Sequence, residues 1–195
     1  MSTESIDPRY ANYKRPSALQ QRLDGMATVE GNAAGSELSG VKIAIIVGRW
    51  HSYIVDRLLQ GALDTANNSG IADANIDVIQ APGAYEMPLV ARALAKRNTY
   101  GALVTLGVII KGDTPHFDFV AGECARGLSD VSRGFDLPIG FGVLTVNNVE
   151  QAMARAADGE ANKGREAMLA ALEVASLLKT FDWSNGSHTK RTKER

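Results

Sequence analysis

The chain has 195 residues, 45% apolar and 22% charged, a balance that excludes a wholly disordered polypeptide. Its 21 basic and 22 acidic residues leave a formal charge of -1, which gives no global attraction to nucleic acid or to an anionic membrane. One cysteine excludes an intramolecular disulfide and any zinc site made of several thiolates from one chain. The first 20 residues lack a continuous apolar stretch of the signal-peptide kind. No run of about 18 apolar residues occurs, so a soluble, cytoplasmic protein without a membrane span is expected.

Residues 1–40 mix Ser, Gly, Asn, Gln and Pro with scattered charge and read as a flexible N-terminal extension. Leu19, Leu23 and Met26 are spaced for one short amphipathic turn or two. From residue 41 to 180 the pattern alternates. Val41 to Val47 is a short apolar run ending at Gly48 and reads as a buried strand. Residues 52–69 carry Ile54, Leu58, Leu59, Ala62 and Ala66 at helical spacing and close at Ser69-Gly70. Ile76 to Ile79 is a second strand, stopped by Pro82-Gly83. Residues 85–97 form a helix, and Ala102 to Ile110 a third strand. A helix is expected from about Pro115 to Arg133, then a strand from Ile139 to Thr145. A final helical region spans Val149 to Thr180, broken near 157–163. Asn147 and Glu150 resemble a capping box at its start. Residues 181–195 form a tail whose last eight residues carry four basic side chains.

Strand and helix thus alternate four times. Parallel strands need crossover helices, and right-handed crossovers put helices on both faces. The expected core is α/β, a three-layer αβα sandwich on a four-stranded parallel sheet, with a fifth strand available near Val29. Sites in such folds lie beyond the carboxyl ends of the strands.

Four segments fall there. After the third strand come Lys111, Gly112, Asp113, Thr114, Pro115 and His116. Thr114 suits a helix N-cap and Pro115 the first helical position. That puts His116 in a first turn, where free N–H groups favour an anion and oppose a positive imidazole, leaving it able to take a proton. A plain helix start with His116 on the surface fits the spacing too. At 81–88, Glu86 follows a strand stop and opens a helix, where it suits either a hydroxylated ligand or simply the helix dipole. At 48–53, Trp50 suits stacking on a planar heterocycle, or merely covering the sheet edge. After the fourth strand, Arg155 and Lys163 suit phosphate recognition or an ordinary solvated helix face. Phosphate-binding glycine loops, a complete dinucleotide fingerprint, a serine-nucleophile elbow and a helical histidine pair do not occur. Cys124 reads as a small core residue.

Taken together, Pro82-Gly83-Ala84-Tyr85-Glu86-Met87-Pro88, the run Gly107 to Val120, Phe141 to Thr145, Gln151-Ala152, Arg155-Ala156 and Asn162-Lys163-Gly164 closely resemble the 6,7-dimethyl-8-ribityllumazine synthase family. The resemblance covers about residues 41–180. It implies flavodoxin-like topology and the condensation of 5-amino-6-ribitylaminouracil with 3,4-dihydroxy-2-butanone 4-phosphate. The products are the lumazine, inorganic phosphate and water, in the penultimate step of riboflavin biosynthesis. The resemblance implies His116 in proton transfer. It implies Trp50, Ala84, Tyr85 and Glu86, the backbone of Val108, Ile109 and Ile110, and a neighbour's Phe141 around the uracil substrate. Asp113, Thr114 and Arg155 would hold the phosphate substrate. No metal or cofactor is implied. Implied partners are the two small-molecule substrates and further copies of the chain, as pentamers or an icosahedral shell, with riboflavin synthase a candidate. Neither a membrane nor specific nucleic acid is among them. The short connection 157–161 lacks the insertion of strictly pentameric members. Trp50-His51 departs from the commoner Phe-Asn pairing. A non-catalytic flavin or lumazine binder, or a shell scaffold, is the alternative on the same fold.

Overall fold

The computed structural model describes residues 14, 16–24 and 30–181. The candidate strand near Val29 and the basic segment 188–195 lie outside the described residues. A short helix α1 (Ser17–Asp24) is followed by β1 (Ile43–Gly48), α2 (Ser52–Asn68), β2 (Ile76–Ala81), α3 (Met87–Ala95) and β3 (Ala102–Ile110). Then come α4 (His116–Phe135), β4 (Ile139–Val146), α5 (Val149–Arg155) and α6 (Lys163–Thr180). The expected alternation is present, with most boundaries displaced by a residue or two.

The strands form a four-stranded sheet in the order β2-β1-β3-β4, and every pairing is parallel. All six residues of β1 are buried, as are eight of the nine in β3. These two strands are covered on both faces, which is why their sequences read as continuous apolar runs rather than alternating ones. On one face Ile43, Ile45 and Val47 pack with Val104 and Leu106 under Ile54 and Leu58 of α2 and Met168 and Leu172 of α6. On the other face Ala44, Ile46 and Leu103 pack with Met87 and Ala91 of α3 and Cys124, Leu128 and Val131 of α4. Each fully buried Ile or Leu stabilises the fold by roughly 1.5–3 kcal/mol. The result is a three-layer αβα sandwich with flavodoxin-like strand order.

The Asn162-Lys163-Gly164 segment fixes α6 on α2. Asn162 is 2% exposed and caps α6, its Oδ1 accepting from Gly164 N and Arg165 N, while its Nδ2 donates to Arg57 O at 3.0 Å. A Cβ on Gly164 would lie 1.9 Å from the Leu58 carbonyl oxygen. The two helices therefore touch backbone to backbone there. Lys163 pairs with Glu166.

Two expected caps differ. The cap of α5 sits one residue on: Asn148, not Asn147, accepts from Gln151 N, and Gln151 Oε1 accepts from Asn147 N. At α4 the cap position is Pro115, already helical at φ -63, ψ -2, so Thr114 does not cap. The proline ring fixes that φ, and the helix proper starts one residue later than expected, at His116. Residues 30–40, grouped from the sequence with the extension, are tied to α6 at a few points although most of them are exposed. Asn32 N donates to Ser176 Oγ at 3.0 Å, Ser176 Oγ donates to a Glu37 carboxylate oxygen, and Leu38 is 1% exposed. Among the described residues no helix is long and apolar enough to cross a membrane.

Candidate active site

The strand order reverses direction between β1 and β3, since β1 leads to β2 on one side and β3 to β4 on the other. Small-molecule clefts form at such switch points. Here strand length adds to the effect. The β1–β3 ladder ends at Val47 with Leu106, while the β3–β4 ladder continues to Ile110 with Val146. The backbone edge of β3 from Gly107 to Ile110 therefore outruns β1 and lacks a strand partner on that side. A cleft of about 390 Å³ lies against it.

One wall is made by Trp50, Gly83 and Glu86. Trp50 follows the end of β1 and is 71% exposed as a residue. A Cβ on Gly83 would stand 2.9 Å from Trp50 Cδ1, 3.2 Å from Nε1 and 3.3 Å from Glu86 Oε2. Gly83 has an extended backbone, φ -158 and ψ -173, so it is the space beside the indole and not the dihedral that calls for glycine. The chain then makes a single 3-10 turn, Ala84–Glu86, which delivers Glu86 to the start of α3 and leaves Tyr85 exposed. The facing wall is the start of α4, where His116 is the first helical residue and Thr114 and Gly112 precede it.

Nine of the residues singled out from the sequence line this cleft: Trp50, Ala84, Tyr85, Glu86, Val108, Ile109, Ile110, Thr114 and His116. Asp113, Phe141 and Arg155 do not. Phe141 lies within β4, opposite Thr105 and 46% exposed. Arg155 ends α5, with its guanidinium donating to Gln151 O at 3.1 Å. Its neighbours Ala152 and Ala156 pack in the α2–α6 layer, whereas α3 and α4, which frame the cleft, form the other layer. Among the described lining residues the charged and titratable side chains are Glu86, His51, Tyr85 and His116, and none is Lys or Arg.

Reasoning from residue types missed five lining residues: His51, Gly83, Gly112, Phe117 and Val120. Val120 was within reach of it, because it stands one helical turn after His116. Gly83 read only as a strand stop. His51 precedes α2 with φ 57, ψ 43, the left-handed region, and its ring meets Tyr53 edge-on at 6.4 Å between centroids. Asn, Asp and His are the non-glycine residues that enter that region most readily. Cys124 is fully buried, and burial pushes its thiol up to about 11, which fits a core residue and not a nucleophile.

The fold and the cleft together define a flavodoxin-like α/β protein with a cleft of small-molecule size at the carboxyl edge of its sheet. An exposed indole, a carboxylate, an unpaired strand edge and an imidazole converge on that cleft. A family model described as 6,7-dimethyl-8-ribityllumazine synthase matches residues 40–179, which span the whole sheet and every helix from α2 to the end of α6 but for its last residue. The chain belongs to that family, one of transferase-type enzymes of riboflavin biosynthesis.

Proposed function

We propose that this chain condenses 5-amino-6-ribitylaminouracil with 3,4-dihydroxy-2-butanone 4-phosphate, giving 6,7-dimethyl-8-ribityllumazine, phosphate and water. The observation that carries the reading is the convergence of Trp50, Glu86, the free edge of β3 and His116 on one cleft. In this reading the pyrimidine stacks on Trp50 and its polar edge bonds the backbone of Val108, Ile109 and Ile110. The ribityl hydroxyls bond Glu86, beside Ala84 and Tyr85. The substrate amine attacks the ketone, and His116 carries the proton between nitrogen and oxygen as the imine forms. Phosphate leaves by elimination, steadied by Thr114 and the amides around Asp113 at the start of α4. Tautomerisation, ring closure and loss of water complete the sequence. Both reactants are reactive by nature, so much of the rate enhancement is orientation and lost entropy.

The phosphate substrate needs a cation, and the described cleft lining supplies none from its own chain. In the proposed assembly Arg155 and Phe141 of one copy complete the cleft of the next, within pentamers. The short 157–161 connection favours further association into a shell. Mixing the purified protein with both substrates tests the reading. Lumazine fluorescence and phosphate release in equal amounts support it. A folded, assembled sample that yields neither, with substrates verified by a known synthase, refutes it.

A further inference from the structure

We infer that His51 is a positioning residue, acting through its left-handed backbone to hold the Trp50 indole in the cleft. The inference rests on the reading of Trp50 as the stacking platform. Trp50 is 71% exposed, so packing does little to hold its indole. Its wall is the Gly83 backbone, where an added Cβ would sit 2.9 Å from Cδ1. The indole's direction must then come from the main chain on either side. On one side Arg49 N donates to Ala81 O at 3.1 Å, which ties the end of β1 to β2. On the other side the His51 carbonyl accepts from Ile54 N at 2.9 Å and Val55 N at 3.1 Å, which starts α2. Between those anchors the chain must turn from strand to helix across Trp50 and His51. The turn is made at His51, at φ 57, ψ 43.

That conformation costs an ordinary L-residue, and costs a β-branched one most. Of the described non-glycine residues, His51, Asn98 and Asp136 have positive φ. Of these three, only His51 lines the cleft. Strained backbone at a site points to a functional demand. If residue 51 relaxed to an extended or right-handed conformation, α2 would re-enter at another angle and the Cα–Cβ bond of Trp50 would turn away from Gly83.

The test uses His51→Asn, His51→Gly and His51→Val in the full chain carrying Trp183→Phe, so that Trp50 is the one tryptophan left. Asn and Gly keep the left-handed preference and lose the imidazole; Val keeps neither. The readouts are steady-state constants and the quenching of Trp50 fluorescence by 6,7-dimethyl-8-ribityllumazine. The Asn and Gly variants should stay within about threefold of the parent in kcat/KM and keep the quenching. The Val variant should lose roughly tenfold or more, chiefly through KM, with weakened quenching and a retained melting transition. A Val variant indistinguishable from Asn overturns the inference. So does an Asn variant as impaired as Val, which would move the role to the imidazole. If the parent itself shows no turnover, the proposed reaction fails, and the quenching series still decides the role of His51.

Discussion

Gly83→Ala isolates the geometry of the stacking wall from the stability of the fold. The new methyl would lie 2.9 Å from Trp50 Cδ1 and 3.2 Å from Nε1, where carbon contacts settle at about 3.5–4.0 Å. The indole must therefore withdraw by roughly 0.6–1 Å. It can do so into solvent, since Trp50 is 71% exposed. The backbone at φ -158, ψ -173 accepts alanine without strain. Replacing glycine there also lowers the entropy of the unfolded chain, worth about 0.4–1 kcal/mol in the stabilising direction. Folding should be preserved while the platform shifts by about 1 Å, a displacement that can cost on the order of 100-fold in rate. The assay is steady-state lumazine formation with the ribitylaminouracil varied, beside a thermal melt. The expected result is a kcat/KM lower by roughly 10- to 100-fold, carried mainly by KM, at a Tm that is not lowered. A kcat/KM within threefold of the unmodified protein would mean that the indole does not orient the substrate.

Three further outcomes follow from other parts of the molecule. Asn162→Ala removes a cap worth about 1 kcal/mol and the second hydrogen bond to the Arg57 carbonyl, which lies within α2, at about 0.5–1.5 kcal/mol more. Denaturant unfolding should show a loss of roughly 1.5–2.5 kcal/mol, and a loss below about 0.5 would contradict the described network. Arg155→Ala should raise KM for the butanone phosphate by roughly 10- to 100-fold, while His116→Ala should lower kcat by a similar factor with little change in KM. Equal effects on both constants in both variants would undo the division of roles. Burial raises the Cys124 thiol from 9.0 to about 11, so the folded state favours its protonated form. Its contribution, up to about 2–3 kcal/mol, is complete below pH 9 and is lost as the pH rises through about 11. Tyr100 acts in the same sense, because the hydrogen bond it donates to Asp77 raises its phenol. Stability measured from pH 8 to 11 should fall less steeply in Cys124→Ala, and an identical slope would refute the assignment.

The order of strands and helices was readable because the two central strands are buried on both faces and the helices carry apolar stripes at their own period. The caps were readable to within one residue: Asn147 and Asn148 are the same residue type side by side, and only the backbone decides which one turns inward. Asn162-Lys163-Gly164 was the least readable. Its residue types suit a ligand loop, yet Asn162 and Gly164 hold α6 to α2 through contacts with Arg57 and Leu58, a separation of 105 residues for the Asn162–Arg57 bond. Nothing local marks such a partner. Arg155 and Phe141 show the complementary case. The motif carries both, but the single chain sets them apart from the cleft that they were expected to serve.

The floor of the cleft explains why residue types alone describe the site unevenly. The walls are side chains, and Trp50, Glu86 and His116 declare their chemistry by name. The floor is the unpaired edge of β3, created because β1 ends its pairing at Val47 while β3 runs on to Ile110 with β4. Each exposed N–H and C=O there is an obligatory donor or acceptor whatever side chain it carries. Val108 and Ile109 turn their side chains into opposite core clusters and stay buried, so their identity reports the packing and not the ligand. What a planar heterocycle meets at this edge is set by how far one strand outruns another. β1 itself parts from β3 at Val47 while it stays paired with β2 through Gly48 and Ala81, so the opening lies between the two central strands.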